Sequence, residues 1–180
     1  MKGTRRKVRE GSGVMIRRAL FADLPQLLKI YNYEVLHGTA TFDEEARTQE
    51  QQEEWFSHYT GKYPLLVEEH FGKIAGYAGA CRLFPKPAYD ISAEVSVYVA
   101  WDMRGQGIGE RLLIALLEET KKEPELESLF SLITATNEAS IHLHEKLGFL
   151  YEGILRNSGK KFGENLDVMI YRYDLRRERF

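Results

Sequence analysis

The sequence predicts an α/β (α+β) fold: a mixed, mostly antiparallel central sheet of about seven strands flanked by helices on both faces. Two observations lead there. Most strand-like segments follow one another in adjacent pairs around short turns, the arrangement of antiparallel neighbours. The second half also holds two strand-to-helix units, and a helical crossover returns the chain to a parallel position.

"VMIRRA" reads as a short strand. Asp23 and Pro25 then open a helix whose Leu24, Leu27, Leu28, Tyr31 and Val35 recur at helical spacing. "TQEQQEEWFSHY" is a second, more polar helix. "YPLLVEEHFGKIAGYAGACRLF" holds two apolar strands around a turn at His70 to Gly72, a hairpin. "AEVSVYVAW" alternates as a strand, and glycines lead from it into a helix that carries Ile108, Leu112 and Leu116 on one face and stops before Pro124. "LFSLITAT" is a buried-type strand and "EASIHLHEKLG" a helix closed by Gly148. "FLYEGILRNSGKKFGENLDVMIYRYDL" supplies a closing pair of strands. No internal repeat, low-complexity segment or interdomain linker interrupts the series.

A chain of 180 residues suits one domain. Its longest apolar run, "LLIALL", falls far short of the roughly 20 residues of a membrane span. A formal charge of −2 gives no general pull toward nucleic acid, so an anionic ligand must be held by local groups. The single cysteine, Cys81, excludes an internal disulfide framework, offers no paired-thiolate metal site, and makes a reducing cytoplasm the default compartment. The basic opening "MKGTRRKVREGSGV", residues 1–14, reads as a flexible leader or cloning remnant, with Met15 as natural start and residues 15–180 as the domain.

The chemistry concentrates around "RGQGIG", residues 104–109. In the strand before it, alternation puts Val95, Val97 and Val99 toward the helices and Glu94, Ser96 and Tyr98 on the other face. Gly105, Gly107 and Gly109 leave the start of the next helix bare, so backbone N–H groups and the helix dipole meet an anion there, with phosphate the natural guest. The loop is not the dinucleotide fingerprint, because Glu110 stands where the third glycine belongs, and no Gly-Lys-Ser/Thr makes a Walker loop. A tight strand-to-helix turn is the plainer alternative.

Glu94 is a carboxylate at the start of that strand whose pKa burial would raise; the alternative is a solvated carboxylate. Asn137, Ser140 and His144 are spaced by three and four residues and form a polar stripe on one helix, with Ala139 and Leu143 beside it. Facing a cleft, such a stripe holds an elongated ligand. Asn137 as a helix cap and Ser140 as a packing residue are the alternatives. His142 reads as exposed and Cys81 as a packing residue.

"VYVAWDMRGQGIGERLL" and "NEASIHLHEKLGF" resemble the pyrophosphate loop and Asn-led helix of the GNAT superfamily of N-acetyltransferases. "IRRALFADLPQLLKIYN", "TATFDEE", "YPLLV", "AYDISAEVSVYV" and "GILRNSGKKFGENLDVMIYRYDL" are similar to its phosphinothricin and methionine sulfone/sulfoximine acetyltransferase branch, so the likeness runs from about Met15 onward.

That resemblance implies the GNAT fold and transfer of an acetyl group from acetyl-CoA, without a metal, to the amine of a small amino acid or analogue. The diphosphate would lie on the backbone of Arg104, Gln106, Gly107, Ile108, Gly109 and Glu110, with Gly105 supplying the turn. Val97, Tyr98 and Val99 would line the pantetheine arm, which Asn137 and Ser140 would contact. Glu94 matches the branch's proposed base. His144 stands where many relatives carry an acidic tyrosine, and as base or acid it would serve either half of the proton traffic. Phe42 and Tyr98 match the acceptor's walls, and Arg82, Lys86 and Tyr89 would hold its carboxylate, although "CRLFPKPAY" departs from the branch's Trp and spacing. A homodimer follows by resemblance alone. The rival readings are an acetyltransferase for protein N-termini or another amine, and a non-catalytic acyl-CoA-binding module.

Overall fold

A computed structural model of the chain describes residues 13–176. Residues 1–12 of the expected leader lie outside the described residues. Val14 does not: it opens strand β1 (Val14–Arg18) opposite His70.

Seven strands form one sheet in the order β1-β2-β3-β4-β5-β7-β6. Strand β2 (Leu65–His70) turns into β3 (Lys73–Arg82), which pairs with β4 (Ser92–Val99). Strand β5 (Ser128–Thr134) pairs with β7 (Glu164–Asp174), and β6 (Leu150–Lys161) takes the far edge. Among the described residues only β4 and β5 run parallel. The mixed, mostly antiparallel sheet read from the sequence is the observed one.

Helix α1 (Leu24–His37) follows a 3-10 turn at Phe21–Asp23 and buries Leu24, Leu27, Tyr31 and Val35. Asp23 does not cap it by side chain; its carboxylate accepts from the Leu20 N–H and pairs with Arg17. Helix α2 (Gln49–Ser57) starts at a capping box of Thr48 and Gln51. These two helices cover one face, around a core of Leu27, Leu65, Val67, Ile74 and Tyr77. Helix α3 (Ile108–Thr120) covers the other, packing Ile108, Leu112, Leu113 and Leu116 against Ala78, Ala80, Val95 and Leu129. Burying that stripe is what holds α3 to the sheet. Helix α4 (Glu138–Lys146) ends at Gly148, whose φ of +90° lets the Phe149 N–H turn back to the His144 carbonyl.

One irregularity positions everything below. Strands β4 and β5 are joined by only three residue pairs, Ser92, Ala93 and Glu94 with Ser128, Leu129 and Phe130. Beyond Glu94, β4 stays with β3 and β5 stays with β7, so the sheet splits between them.

Candidate active site

The split exposes the backbone of β4. The Ala100 N–H donates to the Ala75 carbonyl at 2.9 Å. An antiparallel ladder alternates, so Ser96 and Tyr98 also turn their backbone groups to β3, while Val97 and Val99 turn theirs into the gap. A cleft of about 610 Å³ opens there, with Val97, Tyr98 and Val99 on one wall and Thr136, Asn137, Ser140 and Leu143 on another.

The glycine loop closes one end of this cleft. Gly105 and Gly107 have φ of +76° and +74°, the left-handed region that only glycine enters without strain. Gly107 precedes α3 with no side-chain cap, and the first helical hydrogen bond runs from the Arg111 N–H to its carbonyl at 3.1 Å. The N–H groups of Ile108, Gly109 and Glu110 therefore have no acceptor inside the helix and sit at its positive end. Gly109 meets a different need. A Cβ there would touch Leu143, Val97 and Val99 at 3.4–3.7 Å, so its absence lets α3 start close to both walls. This bare helix start fits a diphosphate.

Arg104, Gly105, Gly107, Ile108, Gly109 and Glu110 all border the cleft. Gln106 does not; it is exposed, and its carbonyl accepts from Arg111 Nη1 at 2.9 Å. Arg111 is in turn held by the fully buried Glu68 of β2, with contacts of 2.6 and 3.0 Å. The loop is thus braced from the sheet through Arg111 by a residue 43 positions earlier in the sequence, Glu68. Arg104 donates to Glu34 of α1 at 2.7 Å, and Glu34 also accepts from the Ala40 N–H. Glu68, Glu34 and Arg111 had no local signal in the sequence, because each works through a partner on a distant element.

A second cavity, of about 460 Å³, continues from the first and shares Ala40 and Tyr98 with it. Glu94 and Ser96 line it from β4, Tyr31 from α1, Trp55 from α2 and Phe42 from the loop between those helices. Phe42 lies on Gly159 of β6, where a Cβ would collide with its ring. Burial raises the pKa of Glu94 above its ordinary value. Burial, then the neighbouring Tyr31 and the charges of Glu34 and Glu94, raise that of Tyr98, which stays a neutral phenol. Cys81, opposite Glu94 in the β3–β4 register, is pushed up to about 11 by burial and then by the charge of Glu94, so its thiol is protonated near neutral pH.

Of the polar stripe on α4, one residue is placed differently from the sequence reading. Asn137 lines the cleft and also caps α4, its side chain accepting from the Ser140 N–H at 3.2 Å, and Ser140 lines the cleft beside it. His144 does not share their exposure. It is buried against Phe149, lines neither cavity, and sits 2.8 Å from the Ser140 carbonyl through Nδ1. A carbonyl only accepts, so Nδ1 carries the proton and Nε2 presents a buried lone pair with no partner. Burial lowers its pKa, keeping the ring neutral. Besides Ser140, the residues of α4 that border the cleft are Ala139, His142, Leu143 and Lys146, while His144 packs on Phe149. The exposed His142 borders the cleft rim after all.

Arg82, Lys86 and Tyr89 lie away from both cavities. Arg82 forms an ion pair with Asp90 at 3.1 Å, Tyr89 packs on Phe84, Lys86 is exposed, and none of the three borders either cavity. The cation that does reach the inner cavity is Arg47. It stood alone in a loop, with no spacing to mark it. Among the described residues no group of three His, Cys, Asp or Glu side chains is placed to hold a metal ion.

The family model for the acetyltransferase (GNAT) domain matches residues 16–170. The L-methionine sulfoximine/L-methionine sulfone acetyltransferase of Pseudomonas aeruginosa is 37% identical over 162 residues, which is 89% of this chain and 94% of that protein. A phosphinothricin acetyltransferase from Sinorhizobium meliloti, solved in complex with AcCoA, superposes with a TM-score of 0.85 at 32% identity, covering 90% of this chain and 88% of its own. A ribosomal-protein-alanine N-acetyltransferase structure from Brucella melitensis gives a TM-score of 0.85 at 39% identity, covering 89% and 99%.

Proposed function

The chain belongs to the GNAT acetyltransferase family and is an acetyl-CoA-dependent N-acetyltransferase, and from that premise we propose that it acetylates the amino group of a small free amino acid or analogue, of the phosphinothricin, methionine sulfoximine or methionine sulfone type, by direct attack in a ternary complex. The observation that carries the acceptor class is the inner cavity, walled by aromatic rings and holding the half-buried Glu94, into which the glycine cleft runs at Tyr98. A cavity of about 460 Å³ with one carboxylate in its lining is of a size for a free small molecule.

Bound acetyl-CoA supplies a thioester carbonyl and a thiolate leaving group. The N–H groups at the start of α3 and the Arg104 guanidinium hold its diphosphate, and the inward-turned backbone of Val97 and Val99 lines the path of its arm together with Asn137 and Ser140. The acceptor arrives as an ammonium ion, and Glu94 removes a proton directly or through water to free the nitrogen lone pair. The C–N bond then forms as the C–S bond breaks, and the second proton lost by nitrogen balances the one the departing sulfur gains. His144 holds Ser140 and the turn of α4 in place instead of facing the acceptor.

The Brucella melitensis neighbour favours a second reading, an acceptor at a protein N-terminus. Thiol release from acetyl-CoA, measured with L-methionine sulfone, L-methionine sulfoximine, phosphinothricin, ordinary amino acids and an alanine-initiated peptide, separates the two. The expected kcat/KM for the best free amino acid exceeds that for the peptide by about 100-fold or more. A preference for the peptide overturns the assignment.

We also infer a homodimer in the cytoplasm. Strand β6 is a sheet edge whose Leu150, Tyr151 and Leu155 stay exposed, and an uncovered apolar edge is a pairing surface. Among the described residues no helix is long and apolar enough to cross a membrane, and the lone thiol suits a reducing compartment. Sedimentation equilibrium at micromolar concentration is expected to return twice the chain mass; the single-chain mass overturns the pairing.

A further inference from the structure

Arg47 stands just ahead of α2, in the loop that follows α1, and its backbone is fixed from both sides by one side chain. Asn32 accepts from the Arg47 N–H at 2.8 Å and donates to its carbonyl at 2.9 Å. The guanidinium lies 4.0 Å from the centroid of the Tyr31 ring and 5.5 Å from that of Trp55, a stacked position that holds the fork in one plane. The side chain is only 15% exposed.

Its donors are nonetheless mostly unused. A guanidinium has five N–H groups. Nη1 donates to Gln52 Oε1 at 3.1 Å, and Nη2 stands 3.5 Å from Asp43 Oδ2, an oxygen that already accepts a 2.6 Å hydrogen bond from the Tyr31 hydroxyl. A largely buried cation with spare donors is costly unless something else satisfies them.

The side chain borders the inner cavity, and among the described residues lining that cavity the only acidic or basic side chains are Arg47 and Glu94. Tyr98 lies within the electrostatic reach of both. The chamber thus carries one fixed cation and one carboxylate, the complement of a zwitterion.

Building on the function proposed above, we propose that Arg47 is the specificity-determining residue that holds the acceptor's carboxylate by charge-assisted hydrogen bonds, while Glu94 receives its ammonium. The chamber then selects free α-amino acids over amines and over peptide-bonded residues, because only a free amino acid presents both charges so close together. Binding the carboxylate at Arg47 also orients the nitrogen, so the effect falls on the acceptor and not on acetyl-CoA.

The test compares L-methionine sulfone with its α-carboxamide in the wild-type protein, Arg47→Gln and Arg47→Lys. The wild type is expected to prefer the acid by roughly 30-fold in kcat/KM, the weight of one or two hydrogen bonds between charged partners. Arg47→Gln is expected to abolish that preference, with the KM for acetyl-CoA within about twofold of the wild type. Arg47→Lys keeps the charge but not the planar fork, and is expected to retain an intermediate preference. An acid-to-amide ratio that survives in Arg47→Gln, or a uniform loss on both acceptors, overturns the assignment. If Arg47→Gln does not fold, an undiminished ratio in Arg47→Lys overturns it as well. A wild type that acetylates only the peptide refutes the amino-acid function itself, which is a distinct outcome from the loss of this contact.

Discussion

Replacing Glu94 by Gln is expected to lower kcat by two to four orders of magnitude, the usual contribution of a positioned general base, while calorimetry finds acetyl-CoA binding unchanged. The carboxylate lines the inner cavity and not the cleft of the glycine loop, so donor binding and proton removal separate cleanly. The pH profile carries a second signature. Burial raises the pKa of Glu94, and the base works only when ionised, so kcat/KM of the wild type climbs with pH through that raised value. This acid limb is absent in Glu94→Gln. The sign for stability is opposite. A carboxyl whose folded pKa exceeds its unfolded one binds more protons in the native state, so its contribution to stability falls as pH rises from the unfolded pKa through the folded one. At pH 7 the variant should therefore melt no lower than the wild type while turning over far more slowly. A variant that keeps activity within about fivefold, against the expected loss, removes Glu94 from the chemistry.

Gly107→Val is expected to weaken acetyl-CoA binding by about 10- to 100-fold with a much smaller change in kcat at saturation. A left-handed φ of +74° costs an ordinary residue about 1–2 kcal/mol and a β-branched one more. The added Cβ also comes within 3.1 Å of Arg111 Nη1, the group that braces the loop. To escape both, the loop must turn its N–H groups away from the cleft. Isothermal titration with acetyl-CoA reads the effect, and the melting midpoint should drop by about 3–8 °C for a strain of this size in a domain of this length. Affinity equal to the wild type's would mean that the backbone shape of this loop does not hold the ligand.

The contrast between these two sites reflects how each was readable. The glycine loop was legible because every residue that shapes it is a neighbour: strand, turn and helix start follow one another within "VYVAWDMRGQGIGERLL". Period two along β4 likewise placed Glu94 and Tyr98 on one face and the valines on the other, as the register with β3 has it. The three-and-four spacing of Asn137, Ser140 and His144 was real, since Ser140 and His144 do meet. Spacing fixes which residues share a stripe but not where the stripe points, and His144 is buried against Phe149 while Asn137 and Ser140 border the cleft. Arg82, Lys86 and Tyr89 were placed near the acceptor from their position before Glu94, yet Arg82 pairs with Asp90 and none of the three borders either cavity.

From its sequence alone this protein's strand faces, its left-handed glycine turn and its uncapped helix start follow, because they depend on covalent neighbours and on periods of two and 3.6 residues. The parting of β4 from β5, the placing of Arg47 and Glu94 on the lining of one cavity and the brace from Glu68 to the loop were settled only by tertiary packing. Burial of apolar faces brings such groups together from distant segments and sets the dielectric around them, and neither distance nor burial is written in the spacing of residues along the chain.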